Sequence, residues 1–217
     1  LKRNWHNFFL CVGMEEKNQS GVIPPQHTGT VIDTVETIEM ADNQAAQSFF
    51  QTGKQRLLNV NNWHGVAGAA SAAFQLVDAK GEEVARPVQK GDFFKIDIPG
   101  PGPTAGDGYD WVTVEEVSEI NEGETESVGI RVRPTLSPLN NSKDVAHFYS
   151  PESTSSFTVT REGNRITAGI YDRNTKPNQT AETLVDKIRD VAVGAGAVTA
   201  FSKIQWTNLA KGLLKQE

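Results

Sequence analysis

Residue pairs that could do chemistry are few in this 217-residue chain. Asp107 and Asp110 flank Gly108-Tyr109 at the end of a glycine-proline loop. Two carboxylates so close could share acid–base work or hold a cation, although turn aspartates usually serve local hydrogen bonds. Arg131 and Arg133 are two apart, so they leave one face of a strand together. Such a pair can clamp a carboxylate or phosphate in two-pronged fashion. His64 follows Trp63, and His147 precedes Phe148-Tyr149. Neither histidine stands at metal-ligand spacing from another ligand. No G-x-S-x-G nucleophile elbow occurs, so that hydrolase signature is missing. Gly100-Pro101-Gly102-Pro103-Thr104-Ala105-Gly106 lacks phosphate-loop spacing, and the segment after it reads as a strand rather than a helix. No catalytic, metal-ligating or cofactor-binding residue is assigned from this inventory.

Alternation over 69–170 describes the scaffold. Phe94, Ile96 and Ile98 alternate with polar or bulky neighbours, as do Val112 with Val114 and Val128, Ile130 with Val132. Ala146 with Phe148, Phe157 with Val159, and Ile166, Ala168 with Ile170 complete six segments. A period of two puts each apolar set on one face, so the sequence predicts an antiparallel sheet with one dry and one polar face. Trp111, Arg131, Arg133, His147, Tyr149 and Tyr171 take the polar parity; exposed there, they would form a recognition surface. Residues 30–39 read as a strand. Asp42 offers an N-cap to a helix over 43–58, which Gly53 weakens. Glu122-Gly123-Glu124 and Glu162-Gly163-Asn164 read as tight hairpin turns. The C-terminal segment changes to helical period. Asn178 or Thr180 can cap it, and Leu184, Ile188, Val191, Ala195 and Val198 recur every three or four residues. Phe201, Trp206, Leu209 and Leu213 extend that side. This stripe should cover the face made by Phe94, Ile96, Val112, Val114, Ile130, Phe157 and Ile166.

The order of elements from residue 30 to 217 resembles the START-like, or helix-grip, superfamily. Val31 to His64 resembles its opening strand and helix, and Trp63-His64 its aromatic exit from the helical region. The resemblance implies a curved antiparallel sheet, or partial barrel, with a long C-terminal helix on one face and a cavity between them for an apolar ligand. An SH3-like barrel with added helices is the competing α+β architecture. Residues 1–29 read as a poorly anchored lead-in to a single domain over 30–217.

Composition bounds the partners. Apolar residues make up 37% and charged residues 22%, a globular balance. The net charge of -6 is interspersed, with no basic block for nucleic acid. The single cysteine, Cys11, excludes a disulfide within the chain and suits a reducing compartment. The apolar run Phe8 to Gly13 is too short for a membrane span or an ordinary signal sequence. The expectation is a soluble, cytoplasmic protein, and the three Asn-x-Ser/Thr sequons at Asn18, Asn140 and Asn178 are then chance matches. Three functions fit. The first is binding of an apolar or amphipathic small molecule between sheet and helix, with Trp63, His64, Trp111, Arg131, Arg133, His147 and Tyr171 as candidate site residues. The second is an interaction or structural module without a small ligand. The third, by fold analogy alone, is a hydrolase- or cyclase-like enzyme.

Overall fold

A computed structural model describes residues 18–68, 71–98, 102–178 and 194–216, with backbone only over 194–201. Strand β1 (Thr30–Glu39) leads into helix α1 (Asn43–Leu58), a 3-10 turn (Val60–Asn62) and helix α2 (Trp63–Ala67). Six strands follow: β2 (Ala73–Val77), β3 (Phe93–Asp97), β4 (Asp110–Glu122), β5 (Thr125–Pro134), β6 (Thr154–Glu162) and β7 (Arg165–Thr175). Helix α3 (Gly194–Leu213) closes the described chain.

All neighbouring strands are antiparallel, in the order β1-β7-β6-β5-β4-β3-β2. The linear order leaves β1 and β2 as edges of an open, curved sheet. This is the helix-grip arrangement and not the alternative SH3-like barrel. Local chemistry explains the elements. Asp42 caps α1 by accepting from Ala45 N at 2.8 Å. The turns at Gly123 and Gly163 have φ of +65° and +60°, which glycine adopts without strain. Between them, buried Arg161 pairs with Glu126 at 2.6 Å and donates to the carbonyls of Gly123 and Gly163. One guanidinium therefore joins two hairpins.

The apolar sets meet as the alternation predicts. Phe94, Ile96, Val112, Val114, Ile130, Phe157 and Ile166 share one buried core with Leu209, Ala210, Leu213 and Leu214. From α1, Ala46, Phe50 and Leu57 enter the same core. Gly53 lets α1 approach β6: a Cβ there would stand 3.1 Å from Val159 Cγ1. Arg56 of α1 donates to the Leu213 and Lys215 carbonyls, which α3 leaves without helical partners. The expected cap at 178–180 is only partly described, and Leu184, Ile188 and Val191 lie outside the described residues.

The polar face differs from the expected exposed surface. Trp111 is buried against Val77 and Ala146 under the 104–109 loop, with Phe93, Ala105 and Tyr109 packed around it. Tyr171 is buried with Val22 and Ile23. Residues 20–23 run across this convex face, where Ser156 Oγ and Arg131 Nη1 donate to the Val22 carbonyl. Gly129 makes room for them, since a Cβ there would sit 2.5 Å from Ser20 Oγ. Residues 146–149 do not form the expected strand. Within them only Tyr149 makes a bridge, to Pro177, because the segment crosses the end of the sheet instead of extending it.

Candidate functional site

A cleft opens between the concave face and α3. Its floor is Phe74 of β2, Phe94 and Ile96 of β3, Val112 of β4, Val132 of β5 and Phe157 of β6. Strand parity puts these side chains on one face. Trp206 of α3 walls the opposite side, with its ring edge-on to Phe157 at 5.2 Å. The cavity volume is about 40 Å³, and about 490 Å³ when the open mouth is included. The 40 Å³ has room for a few waters.

Polar groups gather at one end. Tyr149 OH lies 3.4 Å from Ser202 Oγ of α3. Trp206 Nε1 donates to Asp172 Oδ2 at 2.9 Å. Asp172 is fully buried, and its Oδ1 has no hydrogen-bond partner among the described residues. Burial pushes the Asp172 carboxyl up to about 6, although Ser155 and the Trp206 indole favour its charged form. Burial also raises the Tyr149 phenol to about 12, and the negative charge of Asp172 adds to this. His147 is driven down to about 3 by burial, and its Nδ1 accepts from Tyr149 N at 2.9 Å. Asp110, under the same crossing segment, is raised to about 7 by burial while accepting from Phe148 N at 3.0 Å.

Of the seven residues singled out from sequence, the structure places His147 in the cleft wall. Trp63 is fully buried behind the floor, against Phe74, Phe94 and Phe157, and donates to the Leu57 carbonyl. His64 is exposed, with Nδ1 at 3.2 Å from the Ser71 carbonyl oxygen. Trp111, Arg131, Arg133 and Tyr171 occupy the convex side. A bulge after Val114 places Glu115 between the two arginines. Arg131 Nε donates to Glu115 Oε2 at 3.0 Å, and Arg133 Nε donates to Oε1. Burial works to raise the Glu115 carboxyl, but Arg133 and Arg131 together hold it below its usual value. The pair clamps a carboxylate of its own sheet. Asp107 accepts from Asn140 Nδ2 at 2.9 Å. Neither the Nδ1 bond of His147 nor that of His64 runs to a carboxylate, so these contacts build no histidine–aspartate pair.

Sequence reasoning passed over Asp172, Ser155, Ser202 and Trp206 as site residues. The signal for Asp172 was present: two residues beyond Ile166, Ala168 and Ile170, the same parity lands on an aspartate. A charged residue continuing an apolar face calls for an explanation.

Among the described residues no helix is long and apolar enough to cross a membrane, and no cluster of metal-ligating side chains occurs. No known sequence family matches the chain, and no curated protein does. Solved structures show distant likeness. The extracellular domain of PknH from Mycobacterium tuberculosis is 10% identical over 76% of this chain, with a TM-score of 0.33; the match spans 61% of that domain. Truncated norcoclaurine synthase from Thalictrum flavum is 10% identical over 89% of this chain and 100% of that one, with a TM-score of 0.35. Ara h 8.0201 is 13% identical over 83% and 99% of the two chains, with a TM-score of 0.30.

Proposed function

We propose that the chain binds an apolar or amphipathic small molecule in the cleft between the sheet and α3. One observation carries this reading: an apolar floor of three phenylalanines and three aliphatic residues ends in a convergence of Tyr149, Ser202, Ser155 and Trp206. An apolar bed with a few placed polar groups is the usual composition of a small-molecule site. The cavity volume of about 40 Å³ is well below the roughly 150 Å³ that admits benzene. The ligand's apolar body therefore enters through the open mouth and displaces Trp206 or the 147–149 segment. The interaction-module reading has less support, because Trp111 and Tyr171 are buried. The enzyme reading lacks its histidine–aspartate pair.

Native mass spectrometry of gently purified protein tests the proposal. A small molecule should be retained by the wild type and lost in Ser202→Leu, which keeps the helix but fills the cleft. Retention of the same mass by both would place the ligand elsewhere and overturn the reading.

A further inference from the structure

Asp172 is a costly residue to keep where it stands. It shares the parity of Ile166, Ala168 and Ile170, so its carboxylate lies on the dry face. Its cross-strand neighbour is Ser155, and its hydrogen-bond donor is Trp206; both line the cleft. Tyr149, also in the cleft wall, feels its charge. Asp172 thus stands directly behind three cleft residues, with Oδ2 held by an indole and Oδ1 unpartnered. A buried carboxylate with one empty acceptor loses hydration without full return. The adjacent Arg173 guanidinium donates to Asp33 and to the Asp172 backbone carbonyl.

We propose that Asp172 anchors a cationic amine, so that the ligand of the cleft is an apolar amine with its ammonium on Oδ1 and its hydrocarbon body over Phe94, Val132 and Phe157. This rests on the cleft being a ligand site. An ammonium brings the donor that Oδ1 lacks, and its positive charge adds to the partial compensation that Arg173 already gives the carboxylate, in a place where charge-assisted bonds are strong. A hydroxyl would bring only the donor. An anion would meet the carboxylate's repulsion. Tyr149 OH and Ser202 Oγ can accept the remaining ammonium protons.

Three probes of similar shape separate the possibilities: phenethylamine, ethylbenzene and 3-phenylpropanoate. Each is titrated into the full chain at neutral pH, with affinity read from the indole N–H resonance of Trp206. Phenethylamine should bind at least about tenfold more tightly than ethylbenzene, and 3-phenylpropanoate more weakly than either; tenfold is about 1.4 kcal/mol. Asp172→Asn should erase the amine's advantage and leave ethylbenzene within about twofold of its wild-type affinity. Should that variant not fold, the three probes on the wild type decide alone. Equal affinities for amine and hydrocarbon would overturn the proposal, with an internal water as the partner of Oδ1, and leave the cleft reading intact. Binding of none of the three would overturn both.

Discussion

Helix α3 is held by its last turns, and Leu209→Ala measures how firmly. Leu209 is 1% exposed and sits in the core with Leu213 and the sheet face of Phe94, Ile130 and Phe157. Truncation removes three carbons from close packing and leaves a space that the surrounding β-strands cannot fully fill. Such changes cost about 2–5 kcal/mol. A chain of this length shifts its melting temperature by about 2–4 °C per kcal/mol. The expected loss is therefore about 4–20 °C. Ile204, on the same helix, is 62% exposed, and Ile204→Ala should stay within about 0.5 kcal/mol of wild type. Both variants delete the same number of carbons from an aliphatic side chain, so the contrast isolates burial. Circular-dichroism melts of the pair give the answer. Equal shifts, or a larger one for Ile204→Ala, would refute the docking of α3 by its Leu209 face.

Arg161→Met should cost about 3–5 kcal/mol by urea denaturation, because it strands a buried Glu126 carboxylate; adding Glu126→Met should recover much of it. Gly212→Ala tests the contact between α3 and α2. Helix propensity alone would stabilise it by about 1 kcal/mol, but the new Cβ would meet the Val66 carbonyl oxygen at 2.0 Å, so we expect a lower denaturation midpoint. Asp172→Asn should be more stable than wild type at pH 8, with the gap closing on acidification. The sign follows from a folded pKa of about 6, raised above the usual 3.8. Between these values the folded state binds more protons than the unfolded, so acidification favours the wild type. A gap that stays constant from pH 8 to pH 4 would mean that the Asp172 carboxyl titrates alike in the folded and unfolded chain, so that burial does not raise it.

Legibility in the sequence followed the strength of local patterns. The cap at Asp42, the helix over Asn43–Leu58 and the turns at Gly123 and Gly163 each have a local chemical cause, and each stands where the residues predict it. The sheet face was legible because period-two alternation is a property of the strand alone. Burial on the other face was not, because it depends on residues far away in sequence. Trp111 has polar parity, yet the 104–109 loop folds over it; Tyr171 does too, yet residues 20–23 cover it. The same limit hid the site. Trp206 and Asp172 are 34 positions apart and meet only when α3 crosses β7. His147 was legible as a polar aromatic neighbour but assigned to a strand, because Ala146 to Tyr149 alternate without pairing into the sheet.

The most direct test of the account is whether a small hydrocarbon enters the cleft. Methyl-resolved NMR during titration with ethylbenzene reads this without assuming a natural ligand. Ile96, Val112 and Val132 line the cleft, whereas Val31 and Val35 are each 45% exposed on β1. We predict saturable shifts of the first set, with the second set unmoved. Saturable shifts confined to Val31 and Val35, or no saturable shift at all up to the solubility limit, would contradict the claim that this cleft is the binding site.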